Sequence, residues 1–148
     1  MTMPLQLKYS LKEVARAVEL LKNQCKPGAI LTFEGELGAG KTTLIKHLLK
    51  ACGVKEVVSS PTFAYVNSYR VDGLLFHHFD LYRIDSVERF VELGFDQMLE
   101  EPGSICLIEW PGVIQSILVG RVCKVSIEYD GLESRVMNVS CSSEIPNA

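Results

Sequence analysis

Gly35-Glu36-Leu37-Gly38-Ala39-Gly40-Lys41-Thr42 decides how the rest of this 148-residue chain is read. The stretch spells G-x-x-x-x-G-K-[ST], the pattern of a phosphate-binding loop. Glycines at 35, 38 and 40 permit positive φ and a close approach of backbone to an anion. Successive N–H groups can then turn inward, and a following helix adds the positive end of its dipole. Lys41 brings a mobile cation to the outer phosphates, and the Thr42 hydroxyl is suited to Mg²⁺. A chance match in such a chain has odds of roughly half a percent, so the flanking sequence must decide.

The flanks agree with the loop. Ala29-Ile30-Leu31-Thr32-Phe33 is a short apolar, β-rich run after the breaker Pro27-Gly28. Beyond the loop, Leu44, Ile45, Leu48, Leu49 and Cys52 recur at helical spacing until Gly53. Strand, loop and helix therefore follow in the order a nucleotide site requires.

Composition narrows the class. The length suits one domain over residues 1–148 with its own core, the tail from Ser142 to Ala148 reading as frayed. No apolar run reaches the ~18–20 residues of a membrane span, and the first residues show no signal-peptide pattern. A net charge of −3 with scattered bases disfavours autonomous nucleic-acid binding. The five cysteines (25, 52, 106, 123 and 141) form no C-x-x-C pair. They read as reduced core residues of a cytoplasmic protein and speak against a zinc site.

Along the chain, Leu5 to Tyr9 alternates as a short strand, and Ser10 with Glu13 makes a capping box for a helix running to Cys25. This preface is expected beside the nucleotide strand. It would put Ser10 within reach of the nucleotide, although capping alone accounts for the residue. Phe63, Tyr65 and Tyr69 suggest a strand joined through the turn Asp72-Gly73 to Leu74–Tyr82, a hairpin where a simple β-α chain would have a helix. Asp85 and Glu88 are expected to cap the next helix. Ile105-Cys106-Leu107-Ile108 is an unbroken apolar run, as in a strand covered on both faces. Val122–Tyr129 and Arg135–Cys141 are expected as an antiparallel pair closing one sheet edge.

A phosphate-binding loop that hydrolyses nucleotide needs a carboxylate at a nearby strand tip. Glu109, after four apolar residues, is the better metal-linked acid, and Asp80 is a second carboxylate or a turn former. Thr62, in Ser60-Pro61-Thr62, is either a switch-like residue near the γ-phosphate or a strand start. His77 and His78 are adjacent, so their side chains point to opposite faces and cannot share one ion. Both read as structural. Trp110, beside Glu109 and before Pro111-Gly112, is a packing residue or an exposed, switchable ring.

Four blocks taken together carry a resemblance: Gly38-Ala39-Gly40-Lys41-Thr42-Thr43, Ser60-Pro61-Thr62-Phe63, His78-Phe79-Asp80-Leu81-Tyr82-Arg83 and Leu107-Ile108-Glu109-Trp110-Pro111. In this order they resemble the bacterial TsaE (YjeE) proteins over roughly residues 5 to 140. The resemblance implies a P-loop NTPase fold: a mostly parallel, mixed sheet with helices on both faces and antiparallel hairpin additions. It implies an ATPase that binds ATP and Mg²⁺ and serves threonylcarbamoyladenosine modification of tRNA with a TsaD–TsaB pair, touching tRNA only through that pair. Position by position, Gly38, Ala39, Gly40, Lys41, Thr42 and Thr43 would hold phosphates, with Thr42 on the metal. Glu109 would be the metal-linked acid, Asp80 a second essential carboxylate, Thr62 part of a switch and Trp110 a functional aromatic. Arg135 stays unassigned.

The residues leave rivals. A small-molecule kinase needs an arginine-rich lid, and the arginines are dispersed. A GTPase needs Asn-Lys-x-Asp, and no Asn precedes Lys. A nucleotide-sensing module would bind without hydrolysing. No arginine finger is evident in cis, so slow hydrolysis alone and faster turnover with partners are expected.

Overall fold

The computed structural model describes residues 5–61 and 63–142. In chain order the elements are β1 (Leu5–Ser10), α1 (Val14–Lys22), β2 (Ile30–Glu34), α2 (Lys41–Ala51), β3 (Val66–Val71), β4 (Leu74–Asp80), α3 (Val87–Glu92), α4 (Phe95–Leu99), β5 (Ser104–Glu109), β6 (Val122–Tyr129) and β7 (Ser134–Ser142). A 3₁₀ turn, Leu11–Glu13, precedes α1, and a longer one, Pro111–Ile117, follows β5.

The strands form one sheet in the order β1-β7-β6-β2-β5-β4-β3. Its centre, β6-β2-β5-β4, is parallel, and the β3–β4, β6–β7 and β1–β7 pairs are antiparallel. The mixed sheet and hairpin additions follow the expected fold. β5 is buried at every position, as an unbroken apolar run in a central parallel strand requires. Asp72 and Gly73 take φ of 47° and 84°, the left-handed pair that a two-residue hairpin turn needs.

Alternation along the strands splits the core in two. Leu31, Phe33, Phe76, Leu107, Val125 and Ile127 face one way and bury Leu21 of α1 with Leu44, Ile45 and Leu48 of α2. Ile30, Phe79, Cys106 and Ile108 face the other way, under Phe90, Phe95 and Ile114. At about 25 cal/mol per Å² of apolar area, burying each large side chain contributes roughly 1.5–3 kcal/mol.

Four expectations change. First, β1 is not beside β2: it pairs with β7, two strands beyond, so β1 rather than the β6–β7 pair closes that edge. Second, the cap of α3 is Ser86, whose hydroxyl accepts the Arg89 N–H at 3.1 Å, one residue after the expected Asp85. Third, Tyr65 precedes its strand, with φ of 66°. Fourth, the cysteines are not all reduced. Register sets Cys123 opposite Cys141, and the two are joined by a disulfide, leaving 25, 52 and 106 as thiols.

Candidate nucleotide site

β2 ends at Glu34, and the loop from Gly35 to Gly40 delivers the chain into α2. Gly35 lies so close to β6 that an added Cβ would stand 2.6 Å from the Ile127 carbonyl oxygen. Gly40, at φ of 104°, is the left-handed residue from which α2 starts. The loop is anchored from β7, two strands away from β2 in the sheet. Buried Arg135 of β7 donates from Nε to the Ala39 carbonyl at 3.0 Å, with its guanidinium 4.3 Å from the Tyr129 ring centre. The residue left unassigned on sequence thus braces the loop.

Register assembles the acidic side. Asp80 of β4 and Glu109 of β5 are direct neighbours. His78 lies two residues before Asp80, so both side chains share the face that carries α2. Glu109 Oε1 accepts the Thr42 hydroxyl at 2.8 Å, and Glu109 Oε2 meets His78 Nε2 at 2.7 Å. Glu109 is 2 % and His78 0 % exposed, so the carboxylate is fixed between two partners. Asp80 is half-buried and accepts the Tyr82 N–H at 3.1 Å, while its own N–H donates to Tyr65 O at 2.9 Å. Burial pushes the Asp80 carboxyl above the usual carboxylate range. The Tyr82 N–H opposes that shift, and Glu109 reinforces it.

Lys41 is folded back over its own loop. Its ammonium donates to the Gly35 carbonyl and, at 3.2 Å, to Glu36 O. It also lies 3.7 Å from the centre of the Trp110 ring. Burial lowers its pKa, against the pull of Glu109 and Asp80. Trp110 holds φ of 58° and ψ of 58° immediately before Pro111, a left-handed conformation that costs a bulky residue about 1–3 kcal/mol. Its ring also packs on Tyr82 at 4.9 Å between centres.

These groups surround one cleft of about 360 Å³, where Gly38, Gly40, Lys41, Thr42 and Thr43 face Asp80, Arg83, Glu109 and Trp110. Of the residues named on sequence, Ala39 is buried beneath the loop, its N–H donating to Glu36 O at 3.0 Å. Ser10 sits in its capping box opposite Ser134, the Glu13 carboxylate accepting its N–H, outside the residues that line the phosphate cleft. Thr62 lies outside the described residues. His78 was read as merely structural and in fact holds the acid. Its spacing of two from Asp80 on one strand was the available signal. Arg83, Tyr65 and Tyr82 also line the cleft and were not singled out.

Thr42 and Glu109 fit a divalent ion held by phosphate, one hydroxyl and one acid. Among the described residues no cluster of three acidic, histidine or cysteine groups could hold a metal without a ligand's help.

A phosphate loop capping α2, with an acid on the next strand of a parallel sheet centre, defines a P-loop nucleotide-binding protein. The family model described as "Threonylcarbamoyl adenosine biosynthesis protein TsaE" matches residues 8–137, and the chain belongs to that family. Proteins named tRNA threonylcarbamoyladenosine biosynthesis protein TsaE are similar to it. The one from Rickettsia felis is 33% identical over 133 residues, covering 89% of this chain and 77% of that protein. The one from Bacillus subtilis is 34% identical over 124 residues, covering 84% and 77%. The crystal structure of Bacillus subtilis YdiB superposes with a TM-score of 0.76 at 28% identity, covering 95% of this chain and 86% of that one.

Proposed function

We propose that this chain is a Mg²⁺-dependent ATPase that serves threonylcarbamoyladenosine modification of tRNA by acting on a TsaD–TsaB-like complex. One observation carries the reading: the Thr42 hydroxyl at the head of α2 is paired to Glu109 at 2.8 Å, inside the cleft of the phosphate loop. Glycine backbone and Lys41 bind the phosphates, Thr42 and Glu109 hold the metal, and Asp80 stands beside Glu109 to orient water. Bound Mg²⁺ would neutralise charge building on the phosphates. His78 keeps Glu109 aimed at Thr42. Lys41 must leave the Gly35 and Glu36 carbonyls to reach a phosphate, and Trp110 is the wall it turns against.

Arg83 lines the cleft, but its guanidinium packs 5.9 Å from the Phe63 ring centre. Arg135 is engaged with the carbonyls of Ala39, Leu132 and Ser134. An arginine delivered by a partner is typically worth ~10³–10⁵ in rate, so hydrolysis is slow alone and accelerates with the complex. A tRNA-modifying role supports a cytoplasmic reading. No described helix is long and apolar enough to cross a membrane. Phosphate release from ATP, with and without the TsaD–TsaB pair and tRNA, is the test. Transfer to an added acceptor would instead indicate a kinase, and binding without hydrolysis a sensing module.

A further inference from the structure

Away from the cleft, β3 is the outer strand of the sheet, and Ser68 on it pairs in register with His77 of β4. The two-residue turn closes on Val71 and Leu74. From there, pairs that exchange backbone hydrogen bonds alternate with pairs whose peptide groups point outward. Asp80 N–H donating to Tyr65 O fits the same count at the other end. Ser68–His77 is therefore an outward pair. Its side chains stand close, and the Ser68 N–H faces off the sheet edge.

The side chains form a chain of hydrogen bonds. Ser68 Oγ is 2.7 Å from His77 Nδ1, and His77 Nε2 is 3.0 Å from Glu101 Oε1. His77 is 2 % exposed, whereas Ser68 is exposed at the edge and the Glu101 side chain is 43 % exposed. A carboxylate only accepts, so Nε2 carries the proton that Glu101 receives. In the neutral ring Nδ1 then accepts, and the Ser68 hydroxyl donates to it. A serine aimed at a buried base, with the base oriented by an acid, is the relation that activates a hydroxyl for attack. The nucleotide cleft uses none of the three. His77 faces the opposite side of the sheet from His78, with its ring against Phe79.

We propose that Ser68 is an acyl-acceptor site for small activated acyl donors such as aryl esters. Ser68 Oγ bonds to the donor's carbonyl carbon while the hydroxyl proton passes to His77 Nδ1. The carbonyl electron pair moves onto oxygen, beside the outward Ser68 N–H. As that pair returns, the bond to the leaving aryloxy group breaks, and the proton on His77 moves to it. The products are O-acyl-Ser68 and the free phenol. The open strand edge selects donors by reactivity rather than shape, so the outcome is modification rather than turnover. Glu101 is a positioning residue, acting through His77.

The test incubates the full chain with p-nitrophenyl acetate and follows acetylation by peptide mass mapping. Ser68 is expected to be acetylated ahead of exposed Ser59, with the rate falling about 10²-fold in His77→Asn. Glu101→Ala, at an exposed position that leaves the fold intact, is expected to slow it as well, and Glu101→Asp to recover most of the rate. Lys41→Ala is expected to leave it unchanged. Acetylation of Ser68 no faster than of Ser59, or an unchanged rate in Glu101→Ala, would overturn the proposal.

Discussion

The two walls of the nucleotide cleft are built by different means. The phosphate loop is shaped by backbone: left-handed glycines, a helix start and one distant arginine on a carbonyl. The acidic wall is shaped by strand register, which sets Asp80 beside Glu109 and brings His78 and Thr42 onto the same carboxylate. A wall made from contiguous residues announces itself in sequence. A wall made from register announces its separate acids, Asp80 and Glu109, but not the way β4, β5 and α2 bring them together with His78 and Thr42.

The largest effects should come from removing the groups where the walls meet. Lys41→Ala and Glu109→Ala are each expected to lower ATP turnover by about 10²–10³-fold, since each removes charge placed for the transition state. A small loss in Glu109→Ala, measured by phosphate release, would remove the acid wall from the chemistry.

Breaking the loop wall alone should act through the fold. Gly35→Ala drives a Cβ to 2.6 Å from the backbone of Ile127, so a loss of ~2–4 kcal/mol is expected in urea unfolding. An unchanged midpoint would mean that the loop is not pressed against β6. Arg135→Met keeps much of the side-chain bulk but removes the charged donor to Ala39. A hydrogen bond to a charged group is worth about 1.5–3 kcal/mol, and ATP affinity is expected to fall about tenfold by calorimetry. Affinity equal to the parent's would show that the loop holds its shape unaided.

Breaking the register wall should act on turnover more than on binding. His78→Asn frees one oxygen of Glu109 and is expected to lower kcat about tenfold while KM for ATP changes little. A rise in KM alone would make His78 a packing residue.

The smallest effect is electrostatic. The Asp80 carboxyl titrates above its ordinary value because it is partly buried. A carboxyl that holds its proton more tightly when folded costs stability once ionised. That cost is present above the folded pKa and disappears as pH falls below the ordinary value of ~3.9. Asp80→Asn can still accept the Tyr82 N–H, so it is expected to raise Tm modestly at pH 7, with no gain near pH 3. A lower Tm at pH 7 would show that the ionised carboxylate is held favourably, through Tyr82 or Lys41.

The contrast between the walls also marks what could be read from the chain. Gly35–Thr42, the Ser10–Glu13 box and the Asp72-Gly73 turn are local, each a few residues whose conformation follows from their own chemistry. Glu109 was legible because four apolar residues before it can only be a buried strand. The place of β1 was not legible, since a short alternating strand fits any sheet edge, and pairing with β7 depends on a partner over a hundred residues away. The Cys123–Cys141 bond and the grip of Arg135 on Ala39 are likewise products of the β6–β7 register. Ser10 was legible as a capping residue, because a capping box points to a helix start, and that signal carries no information about a ligand.

The most direct measurement is Mg²⁺-dependent ATP hydrolysis by the full chain, alone and with the TsaD–TsaB pair and tRNA, beside Lys41→Ala and Glu109→Ala. The account predicts slow turnover alone, marked stimulation by the complex, and loss of both in each variant. Stimulated turnover that survives in Glu109→Ala, or ATP binding with no hydrolysis under any condition, would contradict it.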